Sequence, residues 1–360
     1  MEKIMFDAAK ELEVIGYYPG PKPQPILNTP ILPKENLKMA LAGQNPLWIA
    51  TAPDMVGVSP ICVPDNKARG FVSDVRPLTA EEKGGLDMFG LDWEFVAVTG
   101  GSIVRPGEPL LADANEWKEK LAGRIPNPDD WAWEETAARI LPTIDDRRMR
   151  KSTIFTGFFE RLISFMDFSN AILALIDDEQ KDAVHEIFDM LCGVYIKIID
   201  NLIKYFNIEL LELHDDWGSQ RAPLFGEDTI REMIAPYIKR VFDYCHAHGV
   251  ATTLHSCGKI EDLVPVMVDC GADMWVPQVC NDIDYVIKTY GDQIVIGINP
   301  DKLEPGLSEE EIRAKARGLV AKYKDTPRVF LFKSPSRHTT PDYEAYFNEV
   351  YCESRRLLSE

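Results

Sequence analysis

The sequence is short of positive charge: 39 Lys and Arg stand against 58 Asp and Glu, a net charge of −19. A phosphate backbone needs a basic face, so nucleic acid is excluded as a partner. An anionic membrane surface is disfavoured on the same ground. No apolar run reaches the ~18 residues that a membrane-spanning helix needs. No GxGxxG follows a first strand and no GxxxxGK[ST] occurs, so the nucleotide-binding α/β folds lose their signature. There is no internal repeat, which removes solenoids and propellers. The seven cysteines are odd in number and irregularly spaced, which suits a reducing compartment better than a disulfide framework. The opening stretch MEKIMFDAAKELEVIGYYPG mixes acids and bases without an apolar segment, so no signal peptide is expected. The expectation is an acidic cytoplasmic enzyme.

What is present is core material, with 45% hydrophobic residues. Six prolines between residues 18 and 33 predict an irregular N-terminal arm over 1–33. Residues 34–360 are expected to form one domain. LWIATA (47–52) reads as a first buried strand. Residues 55–150 read as a long excursion after it, with a hairpin near WEFVAV (93–98). From residue 150 the pattern becomes regular. Apolar runs recur at STIFT (152–156), IELLEL (208–213), VATTLH (250–255), DMWVPQ (273–278), IVIGIN (294–299) and RVFLF (328–332). Amphipathic segments lie between them, the clearest at 228–246. Ser308 and Glu311 form a capping box for a helix over 309–324, and Pro341 suits the first turn of a last helix. Strand–helix alternation with about eight apolar strands predicts an α/β (β/α)8 TIM barrel.

In such a barrel the active site lies where the strands end. LWIATA leads to Asp54 and Met55. IELLEL contains Glu212 and leads to His214, Asp215 and Asp216. VATTLH ends in His255, with Cys257 two residues on. DMWVPQ ends in Gln278 and IVIGIN in Asn299. His255 and Cys257 share one strand face, and an imidazole with a thiolate is a zinc-ligand pair. Glu212 is the expected third ligand, with Asp216 next in order, because an acid inside LLEL needs a partner. His214 and Asp216 are the expected catalytic pair. Asp54, Met55, Trp93, Gln278 and Asn299 are expected to bind substrate. His185 reads as structural, His246 and His248 as complements to a helix dipole, and His338 as a loop residue of open role.

The run ELHDDWGSQRAPLFGEDTIREMIAPYIKRVFDYCHAHGVATTLHSCGKIEDLVPVMVDCGADMWVPQ resembles the uroporphyrinogen decarboxylase-like superfamily. The His-x-Cys-Gly strand end is similar to its corrinoid-dependent methyltransferase branch. NKARGFV, GGLDMFGLDWEFV and GGSIVRPGEPLLADANEW resemble one subgroup, the substrate:corrinoid-protein methyltransferases (methyltransferase I) of anaerobic aryl-ether O-demethylase systems. The resemblance implies a (β/α)8 barrel, a small aromatic methyl ether as substrate, a corrinoid carried by a partner protein, and zinc as a Lewis acid. NPLWIATAPDM lacks the arginines that a decarboxylase would turn to a tetracarboxylate. Ser334 falls where the thiol-methylating branch has a third zinc cysteine. The alternatives are a methyl-corrinoid:thiol or folate methyltransferase, and a non-catalytic barrel that binds a corrinoid protein or an aromatic. The pattern E-x14-E-x20-H, associated with the aryl-ether subgroup, occurs as Glu212, Glu227 and His248. Glu227 and His248 fall at opposite ends of one helix, ~30 Å apart, so they are not expected to share an ion.

Overall fold

An eight-stranded parallel sheet organises the chain, and its order identifies a nearly closed (β/α)8 barrel. The computed structural model describes residues 4–18, 24–73, 76–98, 100–332 and 342–359. The strands are β3 (Ala50–Thr51), β4 (Met55–Gly57), β8 (Met149–Ile154), β9 (Leu210–His214), β10 (Ala251–His255), β11 (Met274–Trp275), β12 (Val295–Ile298) and β13 (Val329–Leu331). They run in the order β3-β13-β12-β11-β10-β9-β8-β4. By internal packing the chain groups into two units: Met1–Val56, Ile144–Met149 and Asp273–Glu360 form the first, Gly57–Thr143 and Arg150–Ala272 the second.

In the first unit the expected strand 47–52 is present as two residues, β3. Pro53 brings no N–H, and the Asp54 carboxylate accepts the Thr51 N–H at 2.9 Å, so the chain turns through Ala52–Asp54 before β4 begins at Met55. Residues 47 and 48 are held by a side chain instead: the buried Asn36 amide bonds the backbone N–H of Leu47 (2.7 Å) and the carbonyl of Trp48 (2.9 Å). The proline-rich arm departs from the expected irregularity. Its described residues include an antiparallel hairpin of β1 (Val14–Tyr18) and β2 (Gln24–Leu27), and Glu11 is buried against Arg355 (2.8 Å) and Tyr351 (2.7 Å). An edge hairpin tolerates Pro25, which is why the proline count misled. Helix Glu309–Tyr323 opens on the expected capping box and packs with helix Asp342–Ser359 over Ile298, Val329 and Leu331. Gln278 and Asn299 lie just past β11 and β12, half-buried. Pro341, Ser334 and His338 lie outside the described residues.

Burial pushes the Asp54 carboxyl up to about 7, against the Thr51 N–H and Trp48, which favour its charge. An aspartate in the unfolded chain titrates near ~4. The folded state therefore holds its proton more tightly, and stability falls as pH rises from ~4 to ~7. Asp54→Asn keeps an acceptor for Thr51 and is expected to shrink that fall. Urea midpoints at about pH 5 and about pH 8 measure it; an unchanged difference would refute the assignment.

In the second unit β8, β9 and β10 pair in register, Thr153 with Glu212, Glu212 with Thr253, and His214 with His255. Paired residues of parallel strands share a face, so a polar column runs up to the two histidines. The segment 228–246 is two helices, Glu227–Met233 and Ala235–Ala247, because Pro236 in the second cannot donate back into the first. Their apolar stripe from Ile230 to Cys245 is buried as its spacing predicts. The excursion holds a three-stranded antiparallel sheet of β5 (Gly85–Leu86), β6 (Asp92–Val96) and β7 (Gly101–Val104), whose β6–β7 hairpin is the expected one. It is fixed to helix Phe158–Met166 by the fully buried Arg161, which bonds Asp65 and Asp87 (2.7 Å). Asp87 also accepts the Trp93 indole N–H at 2.9 Å and the backbone N–H groups of Phe89 and Leu91, each at 2.9 Å.

Candidate metal centre

His214 ends β9 and His255 ends β10, and their register brings the rings into a stack at 4.5 Å with 25° between planes. The loops that follow carry Asp216 and Cys257. Four donor atoms, one each from His214, Asp216, His255 and Cys257, lie within 4.8 Å of one another. The loops are locked together through backbone. Gly258 has φ +94°, and a Cβ there would come within 2.3 Å of the Gly218 carbonyl carbon, so only glycine fits. Lys259 N–H donates to the Ser219 carbonyl (2.8 Å) and Trp217 N–H to the Ser256 hydroxyl (2.9 Å). Asp216 accepts the Cys257 N–H at 2.8 Å, and the Cys257 sulfur sits 3.7 Å from His255 Nε2.

Behind His214 stands a carboxylate. Glu160 Oε2 lies 2.5 Å from His214 Nδ1, and Glu160 Oε1 accepts from Arg69 at 3.0 Å. The arrangement fixes one ring nitrogen and leaves the other for the cluster, as carboxylate–histidine pairs do behind metal ions. Burial opposes charge on both histidines. Glu160 overcomes it at His214, whose pKa is raised, whereas burial and the neighbouring His214 lower that of His255. Burial and Asp216 push the Cys257 thiol up to about 12. A divalent cation reverses that preference and takes the thiolate. Two imidazoles, a thiol and a carboxylate suit zinc, whose catalytic sites use three such ligands and keep a position open.

Glu212, expected as the third ligand, lies one layer below. It accepts from Lys151 (2.9 Å) and Thr153 (3.0 Å) and is not among the four donors. His214 and Asp216, expected as catalytic, stand within the donor set. Glu227 pairs with Arg231 at 2.7 Å, and His248 Nδ1 lies 2.9 Å from the Tyr244 carbonyl, each in its own helix. His185 bonds the Tyr237 hydroxyl at 2.8 Å. Of the residues expected to bind substrate, Trp93 belongs to the unit that holds the cluster; Asp54, Met55, Gln278 and Asn299 belong to the other. Sequence reasoning missed Glu160 and Arg69. Glu160 was within reach of the strand-end rule, since it is an acid in an apolar helix turn just past STIFT.

A cavity of about 360 Å³ adjoins this relay. Leu91, Trp93, Ile163 and Phe168 are among its apolar lining residues, and Arg69 and Glu160 are among its charged ones. The Arg69 guanidinium lies 5.2 Å from the Trp93 ring centroid.

A parallel barrel with nitrogen, sulfur and oxygen donors converging at strand ends defines a candidate metal centre. Residues 159–336 match the family described as uroporphyrinogen decarboxylase (URO-D). The matched segment contains the run 212–278 and all four donors of the cluster. Among solved structures, a methyltransferase from Methanosarcina mazei is similar at 14% identity and TM-score 0.60, over 90% of this chain and 98% of that one. An Old Yellow Enzyme from Pichia sp. AKU4542 aligns at 14% identity over 61% of this chain and 66% of its own, with a TM-score of 0.33. No curated protein matches the chain. Among the described residues no helix is long and apolar enough to cross a membrane.

Proposed function

We propose that this protein is a methyltransferase that moves the methyl group of a methoxylated aromatic to the reduced cobalt of a corrinoid carried by a separate protein. The observation that carries the reading is the convergence of His214, Asp216, His255 and Cys257, with Glu160 linking His214 to a cavity that Trp93 and Phe168 help to line. Zinc, when bound there, supplies a Lewis acid for the negative charge that builds on the ether oxygen. His255, Cys257 and Asp216 would hold it, with His214 oriented toward the same point by Glu160. The C–O bond breaks toward oxygen, which keeps the electron pair as phenolate, while the cobalt's own pair forms the new bond to carbon. Trp93 and its neighbours would hold the ring and keep water from it.

The test is an anaerobic visible spectrum of the protein with reduced corrinoid and a panel of methoxylated aromatics. Loss of the cob(I) band with growth of a methyl-cobalt band, only when an aryl ether is present, is the expected result. No change with any ether, but demethylation of methylcobalamin when a thiol or folate is added, would replace this reading with the reverse branch.

A further inference from the structure

Asp215 stands between two donors of the cluster and is not one of them. Its carboxylate is fully buried at the start of helix Phe158–Met166. Oδ1 accepts the Glu160 N–H at 2.9 Å, and Oδ2 accepts the Phe159 N–H at 3.2 Å and the Trp217 indole N–H at 3.0 Å. The first two are the N–H groups that an N-cap side chain satisfies. The helix's own cap position is Gly157, which has no side chain for the task. A Cβ there would come within 2.6 Å of the Asp215 Cβ and 2.7 Å of the His214 carbonyl oxygen. A local Ser or Asp cap is therefore shut out by the residue that replaces it.

A local cap would hold the helix equally well. A cap carried by the donor loop does something more: it sets that loop against residue 160. The Glu160 side chain lies 2.5 Å from His214 Nδ1. The joint is tied at two further points, since Gly157 N–H donates to the His214 carbonyl (2.7 Å) and Asp215 N–H to the His255 carbonyl (2.9 Å). The start of the helix and the ends of both histidine-bearing strands thus meet at one residue.

We infer that Asp215 is a positioning residue for His214: by capping the helix from the donor loop it holds Glu160 against Nδ1 and leaves Nε2 to the other donors. The consequence for zinc rests on the metal-centre reading, and the placement of the ring does not.

The experiment takes the full chain with Asp215→Ala, Glu160→Gln and both together. Zinc affinity is measured by competition with a chelator. Each single variant is expected to lose about 10–100-fold, and the pair no more than the larger single loss, because Asp215 acts through Glu160. Losses that multiply in the pair, or full affinity in Asp215→Ala, would overturn the inference. Nitrogen-15 spectra of the histidine rings, without metal and at alkaline pH where the rings are neutral, give a second readout. The His214 signals, identified by their loss in His214→Gln, should show one protonated and one bare nitrogen in the parent. Both single variants should average the two. An unchanged pattern in Asp215→Ala would also overturn it. If Asp215→Ala does not fold, Asp215→Asn carries the same comparisons: it keeps the volume but turns an amide NH2 toward N–H donors, and should shift both readouts the same way. A parent that takes up no zinc removes the metal-centre reading, and the ring spectra then decide on Asp215 alone.

Discussion

Cys257→Ala is expected to lose bound zinc on gel filtration and to lower methyl transfer by about 10³-fold, since the Lewis acid contributes several kcal/mol to the barrier. The effect is large because the remaining donors sit around a point that the sulfur helps to define, 3.7 Å from His255 Nε2. Glu160→Gln should have a milder outcome. It keeps all four donors, loosens the ring of His214, and lowers metal affinity about 10–100-fold. Glu212→Gln separates the two ligand sets: with Lys151 and Thr153 as its partners, the variant should keep its zinc. Cys280→Ala, a free cysteine in the other unit, should change neither metal nor rate. Metal analysis alongside single-turnover spectra measures all four. Full zinc and full rate in Cys257→Ala would end the metal-centre assignment.

Arg161→Met is expected to destabilise the protein by about 3–5 kcal/mol. The arginine is fully buried between Asp65 and Asp87, and its removal leaves two carboxylates facing each other without water. The loss should reach the excursion first, because Asp87 also fixes the Trp93 indole and two backbone N–H groups. Urea unfolding with Trp fluorescence is the measurement. Asp65→Asn and Asp87→Asn added to Arg161→Met should recover part of the loss by removing the stranded charges. A Met variant as stable as the parent would show that the triad contributes nothing net.

The barrel was legible because buried parallel strands write themselves as apolar runs, and six of those runs begin or end within a few residues of their strands. The interrupted first strand was not, since its break depends on one carboxylate reaching back to Thr51, a contact that no periodicity encodes. Helix 228–246 hid its break for a related reason: the apolar stripe continues across Pro236 undisturbed. At the site, His255 and Cys257 could be read from spacing alone. Asp216 could be ranked, but its standing against Glu212 is decided by Lys151 on a neighbouring strand, which takes Glu212 as a partner. Arg69 and Glu160 are 91 residues apart in sequence, and their meeting is a property of the folded excursion.

The close backbone approach of Gly218 and Gly258 has a consequence for how the proposed metal would be loaded. The two donor-bearing loops are joined to each other by main chain, so the ligands hold their stations on the scaffold's own strength. An ion bound there would then load late and reversibly, in contrast to small zinc modules that collapse when the ion leaves.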